Sequence, residues 1–146
     1  MNATPISNAQ IALAEFTRRR ANAARAVAAG RKQLRQAEAH VRLWAGIAAW
    51  FGAVLPDDCR PFEGWQLWTD HAPTDATPAQ WRAMLAAELR RAALTQLALT
   101  EQQGAAATPE TLTRARQLLA LDHELSIAAG LPAIGAAPDQ PERKAA

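Results

Sequence analysis

Residues 6–55 read ISNAQIALAEFTRRRANAARAVAAGRKQLRQAEAHVRLWAGIAAWFGAVL, and apolar or small side chains recur in this stretch every seven residues. One set of positions comprises Ile6, Leu13, Arg20, Val27, Leu34, Val41, Ala48 and Leu55. The set three residues later comprises Ala9, Phe16, Ala23, Gly30, Ala37, Trp44 and Phe51. This spacing places both sets on one stripe of an α-helix, and Arg20 is its only charged member.

The stripe predicts a long N-terminal helix. Ser7 and Gln10 form a capping-box pattern at its start, and Pro56 stops it. The seven-residue phase continues past Gly30 without a shift. We therefore expect one helix over about 7–54, straight or kinked at Gly30, with a length of roughly 70 Å. The alternative is two helices that meet at the glycine.

Two further helices are predicted from their start and stop signals. Threonine followed by proline at 77–78 and again at 108–109 is typical of an N-cap and first helical position. Each apolar pattern that follows ends at a glycine, a common residue just after a helix. The expected helices are therefore about 78–103 and 109–129.

The segments outside the helices differ in composition. Residues 56–77 combine several prolines with Phe62, Trp65 and Trp68, which indicates an ordered connector whose aromatic side chains cap the bundle. Residues 131–146 are rich in Pro, Ala and Gly and are predicted to be a flexible tail. We expect a single helical domain over 1–130.

The composition favours an all-α fold. Alanine contributes 37 of the 146 residues, Leu, Arg and Gln are common, and tyrosine is absent. The predicted architecture is a long N-terminal helix packed with two C-terminal helices in a bundle or coiled-coil-like arrangement. Fourteen arginines against two lysines, with abundant Ala and Pro, indicate a GC-rich bacterial or phage genome.

Cysteine usage and the N-terminal sequence suggest a cytoplasmic protein. Cys59 is the only cysteine, so no intrachain disulfide can form, and no signal-peptide pattern follows Met1. The uncharged stretch 43–55 would span about 20 Å as a helix, too short for a membrane core of about 30 Å. We expect no transmembrane segment.

The sequence contains no recognisable catalytic, cofactor-binding or metal-binding motif. Cys59 and His71 match no catalytic signature, and Asp122, His123 and Glu124 are consecutive on a helix, so their side chains diverge. No phosphate-binding or dinucleotide motif is present. We therefore predict no catalytic residue, no cofactor and no metal site, and we expect that the protein is not an enzyme.

The stripe suggests a role in assembly. Its second set is mostly Ala and Gly, which would let a partner backbone approach closely. We predict a helical assembly or adaptor protein that acts through helix–helix contacts, with itself or with a protein partner. The predicted interaction residues are Ala9, Leu13, Phe16, Ala23, Val27, Leu34, Ala37, Val41 and Trp44.

The alternative is a nucleic-acid-binding accessory protein. Residues 1–56 carry a net charge of +6 and the remainder −4. The candidate phosphate contacts are Arg18, Arg19, Arg20, Arg25, Arg31, Lys32 and Arg35. A contiguous exposed basic face would favour this alternative, whereas pairing of these side chains with the acidic C-terminal half would favour a structural role.

Overall fold

The chain folds into helices alone over the residues that its computed structural model describes, 6–55, 76–132 and 134. These are α1 (Asn8–Ala28), α2 (Leu34–Trp50), α3 (Pro78–Gln103) and α4 (Pro109–Ala129), with a 3₁₀ turn at Gly104–Ala106 between α3 and α4. The described ranges contain no strand. The prediction of an all-α bundle is confirmed.

The expectation of one continuous helix over 7–54 is wrong, and the alternative of two helices is correct. Gly30 adopts the left-handed region at φ 73°, where α1 has ended. The Gly30 N–H donates to the Val27 carbonyl at 3.0 Å, and the Arg31 N–H donates to the Ala26 carbonyl at 2.9 Å. These two bonds satisfy the last carbonyls of α1, so the glycine closes the helix and does not merely kink it.

The seven-residue repeat did not reveal the break at Gly30, because α1 and α2 place the same positions of the repeat in one core. Phe16 and Ala23 on α1, and Ala37, Val41 and Trp44 on α2, are all buried. Since both halves of the stripe face the same interior, their spacing cannot distinguish one long helix from two that fold back on each other. The stripe is therefore divided between two helices and does not form one continuous surface of about 50 residues.

The start signals read from the sequence are present in the structure. Ser7 Oγ accepts from the Gln10 N–H at 3.1 Å, and Gln10 Oε1 accepts from the Ser7 N–H at 2.9 Å. Thr77 and Gln80 form the same reciprocal pair at the start of α3. Helices α3 and α4 begin at Pro78 and Pro109, as predicted, because these caps depend on residues within one turn.

The four helices form two hairpins, α1–α2 and α3–α4, that share one core. Its largest fully buried members include Trp44, Phe16 and Ile47 of the first hairpin and Leu89, Leu118 and Leu121 of the second. The hairpins are in close contact at Gly46. A Cβ there would lie 2.7 Å from the Trp81 ring, so only glycine permits this approach without a shift.

Several predictions fall outside the described residues. They are the aromatic connector with Trp65 and Trp68 up to residue 75, the side chains of Cys59 and His71, and the tail from 135 onward. Within the described ranges, no helix is both long and apolar enough to cross a membrane.

Candidate functional site

The predicted interaction stripe lies in the interior of the chain. Five of its nine residues are buried, and the other four are partly buried, namely Ala9, Leu13, Val27 and Leu34. Leu13 and Val27 pack directly against the core. The close approach that these small side chains permit is therefore used between helices of one chain.

The seven predicted basic residues do not form one face. Arg18, Arg19 and Arg20 are consecutive and therefore point in directions about 100° apart. Arg19 is largely buried, with its guanidinium carbon 4.1 Å from the centroid of the Trp44 ring. Arg20 lies over the Phe16 ring at 5.3 Å, which explains how a charged residue occupies the apolar stripe. The other five are exposed, namely Arg18, Arg25, Arg31, Lys32 and Arg35.

Glu88 of α3 is the polar centre of the junction between the hairpins. One carboxylate oxygen, Oε2, accepts a hydrogen bond from the Trp44 indole N–H at 2.9 Å. The same oxygen lies 3.9 Å from Arg19 Nη1 and 3.7 Å from His40 Nδ1. Arg91, one turn further along α3, pairs with both carboxylate oxygens. A single acidic side chain thus connects α1, α2 and α3.

Glu15 of α1 forms a second junction, with α4. Arg114 donates to both of its carboxylate oxygens, from Nε at 2.9 Å and from Nη2 at 3.1 Å. The remaining Arg114 nitrogen, Nη1, donates to Gln96 Oε1 at 3.1 Å. Arg19 Nε reaches Glu15 at 3.3 Å, so one arginine from each hairpin holds this carboxylate.

The charge environment lowers the pKa of both carboxyl groups. Burial alone would raise the pKa of Glu15, but the hydrogen bond and charge of Arg114 outweigh it, and Arg19 adds to the effect. Burial likewise opposes ionisation of Glu88, and the hydrogen bonds from Arg91 and Trp44 overcome it, leaving its pKa lowered. Both groups are therefore carboxylates at neutral pH.

A third polar cluster lies within the second hairpin. Arg90 donates to the two Asp122 oxygens at 3.1 and 3.0 Å and to Ser126 Oγ at 2.9 Å. Ser126 in turn donates to Asp122 at 3.2 Å. Asp122 is buried whereas its neighbours His123 and Glu124 are exposed, which agrees with the expected divergence of the three side chains.

Arg114 lines two open cavities among the described residues. The larger, about 620 Å³, is lined by α1, the end of α3 and the start of α4, and includes Arg18, Leu99 and Gln117. The smaller, about 350 Å³, lies against the turn between α1 and α2. We call the second the cationic cavity, and its lining residues are Arg19, Asn22, Ala23, Ala26, Arg31, Lys32, His40 and Arg114.

No sequence pattern distinguishes Glu15, Glu88, Gln96 or Arg114 as site residues. The opposite charges of the two halves were consistent either with pairing of the kind seen between Arg19 and Glu88 or with binding of an outside polyanion, and they did not indicate which residues would pair. Among the described residues, no group of three His, Cys, Asp or Glu side chains is placed to hold a metal ion. Comparison with protein-family models, curated proteins and solved structures gives no match.

Proposed function

We propose that this protein is a non-enzymatic helical assembly module that pairs with a second copy of itself through one face of α3. The observation that carries the proposal is an exposed apolar strip on this helix, on the side opposite the core. The strip replaces the N-terminal stripe as the interaction surface, since the latter is occupied inside the chain.

The outer α3 face consists of residues spaced alternately by three and four along the helix. This spacing aligns side chains along one side of a helix. Met84 and Leu94 are each 45% exposed, although most leucines and methionines of a helical bundle are buried. The full set is Met84, Ala87, Arg91, Leu94, Ala98 and Glu101, all of them exposed.

The outer α3 face is self-complementary in an antiparallel arrangement. In the register that puts Leu94 of each copy opposite Ala98 of the other, a large side chain meets a small one on both sides of the two-fold axis. The same register puts Arg91, which also pairs with Glu88 of its own chain, opposite Glu101, so that opposite charges face each other at both edges. A parallel arrangement would instead place each Arg91 beside its own copy.

The buried polar side chains support a structural role over a catalytic one. Glu15, Glu88 and Asp122 each pair with an arginine of another helix, namely Arg114, Arg19 and Arg90. Pairing of Arg19 with Glu88 likewise assigns part of the basic run to the interior. We place the module in the cytoplasm of a bacterium or a phage-infected cell, as its single cysteine and arginine-rich composition suggest.

Sedimentation equilibrium across a micromolar concentration series tests the proposal. The unmodified chain is expected to show a reversible monomer–dimer equilibrium, and Leu94→Glu is expected to shift it to monomer by placing two buried charges in the interface. Ile127→Glu is the matched control, because Ile127 is exposed and belongs to α4, not to the outer α3 face. A chain that stays monomeric, or a dimer that responds equally to both variants, contradicts the proposal.

A further inference from the structure

The cationic cavity carries positive charge that described carboxylates offset only in part. Its lining holds four cationic side chains and a histidine, and no carboxylate. The charges of Arg19 and Arg114 are offset by ion pairs at the junctions between the hairpins. Arg19 pairs with Glu15 and Glu88, and Arg114 pairs with Glu15. Arg31 and Lys32 form no ion pair with any described residue, so their charges are in excess.

Arg19, which lines the cavity, has one guanidinium nitrogen that no described residue uses. Arg19 uses Nε for Glu15, and its Nη1 lies at the edge of ion-pair distance from Glu88, at 3.9 Å. Its Nη2 has no hydrogen-bond acceptor among the described residues. The stack on Trp44 fixes the plane of the guanidinium, so these N–H groups keep one orientation without a ligand.

The cavity has the size and position of a small-ligand site. Its volume of about 350 Å³ lies within the range of small-molecule pockets, about 300–1,000 Å³. Its walls come from α1, the α1–α2 turn, α2 and α4, so both hairpins contribute. The cavity is open, but one of its lining arginines, Arg19, is held in a fixed plane by its stack on Trp44.

His40 would report on an anion in the cavity. Its pKa is lowered, first because the imidazole is partly buried, while the Glu88 carboxylate opposes this effect. Arg19, Lys32 and Arg91 lower the pKa further by repulsion. An anion held beside the imidazole would offset that repulsion and favour protonation of His40.

We propose that the cationic cavity binds a small phosphorylated anion through Arg19, Arg31, Lys32 and Arg114. A doubly charged oxyanion matches the excess charge of Arg31 and Lys32, and the Arg31 guanidinium can offer paired donors to phosphate oxygens. Arg19 can add one donor from Nη2, whereas Arg114, whose nitrogens already donate to Glu15 and Gln96, adds positive charge to the wall. The source of the phosphate group is either an inorganic phosphate or diphosphate or a phosphorylated small metabolite. This binding is independent of the pairing through α3.

Isothermal titration calorimetry of the whole chain with separate probes tests the proposal. The probes are inorganic phosphate, pyrophosphate and glucose 6-phosphate. Saturable one-to-one binding of at least one of them, weakened by added salt, is expected. Tightest binding of pyrophosphate identifies an inorganic source, whereas tightest binding of glucose 6-phosphate identifies a phosphorylated metabolite.

Matched variants locate the site. Arg31→Gln and Lys32→Gln are each expected to raise the dissociation constant by about tenfold, the loss of one charge-assisted contact. Arg35→Gln is the control, because it removes the same charge from an exposed residue that does not line the cavity. These exposed side chains have no described partner, so the variants are expected to keep the stability of the parent chain.

Nuclear magnetic resonance of His40 gives a second readout. Saturation with the probe is expected to raise the His40 pKa. Absence of saturable binding by all three probes overturns the proposal. Equal weakening by Arg35→Gln, an unmoved His40 titration, or binding of a single-stranded oligonucleotide alone likewise overturns it, the last in favour of a nucleic-acid surface.

Discussion

Trp44 and Glu88 are joined across the two hairpins by a hydrogen bond of 2.9 Å, from the indole N–H to a carboxylate oxygen, over a separation of 44 residues. Trp44 is completely buried, so its N–H has no access to water. Glu88 also gathers Arg19, Arg91 and His40 around the same oxygen. The bond therefore couples the apolar core of the first hairpin to the ion pairs of the second.

Removal of the Glu88 side chain should destabilise the protein. Glu88→Ala leaves the buried indole N–H unsatisfied and removes the carboxylate that offsets Arg19, so we expect a loss of about 2 kcal/mol in the free energy of unfolding. Urea denaturation followed by circular dichroism measures this loss. Glu124→Ala, an exposed change on α4, should alter stability only slightly, and equal effects of the two variants would contradict the role of Glu88.

Gly46→Ala should also destabilise the protein, although alanine is the better helix former. The added Cβ would lie 2.7 Å from the Trp81 ring and 2.9 Å from Leu85, and such overpacking costs about 1–3 kcal/mol. Chemical denaturation provides the measurement. Combining the change with Trp81→Leu should recover part of the loss in a double-mutant cycle, and strictly additive effects would show that the two side chains do not collide.

Arg114→Ala should cost about 2 kcal/mol of stability, because Glu15 is then left buried with Arg19 as its remaining cation and Gln96 loses its donor. Thermal unfolding should show a lowered Tm. Arg116→Ala is the matched control, since it removes the same side chain from an exposed position two residues further along α4. A Tm unchanged in both variants would mean that the Glu15 junction contributes nothing to stability.

Stability should fall as the pH is lowered from neutrality. His40 has a lowered pKa, so the unfolded chain takes up a proton first, and stability begins to decline below the ordinary value of 6.5. The lowered pKa values of Glu15 and Glu88 add stability that is complete above the ordinary 4.5 and is lost as the pH falls through their folded values.

Urea midpoints at neutral pH, just below 6.5 and below 4.5 would resolve these two contributions. His40→Gln should flatten the upper part of the profile, and Glu15→Gln should flatten part of the lower one. A protein that gained stability on acidification would show that the signs are reversed.

Local signals predicted helix starts well because the groups that decide them lie within one turn. The Thr-Pro pairs before α3 and α4 gave the correct first residues, and Ser7 with Gln10 gave the cap of α1. Gly30 was misjudged because the seven-residue spacing is a property of the shared core and not of chain continuity. Backbone closure at that glycine depends on two hydrogen bonds that the apolar pattern does not encode.

The candidate site was harder to predict than the helices. Glu15 and Arg114 are 99 residues apart in sequence, and no periodic pattern links them. Their pairing depends on how the second hairpin packs against the first, and several arginines on α3 and α4 were equally available by composition. The basic run was identified as a whole, but burial of Arg19 against Trp44 depends on tertiary structure.

The two-hairpin arrangement has a kinetic consequence. Helices α1 and α2, and likewise α3 and α4, are neighbours in sequence, so each hairpin closes through short loops and can form early. The junctions at Gly46, Glu88 and Arg114 join distant segments and are expected to form last. Substitutions there should therefore accelerate unfolding and leave the folding rate nearly unchanged, which makes these junctions the determinants of how long the native state lasts.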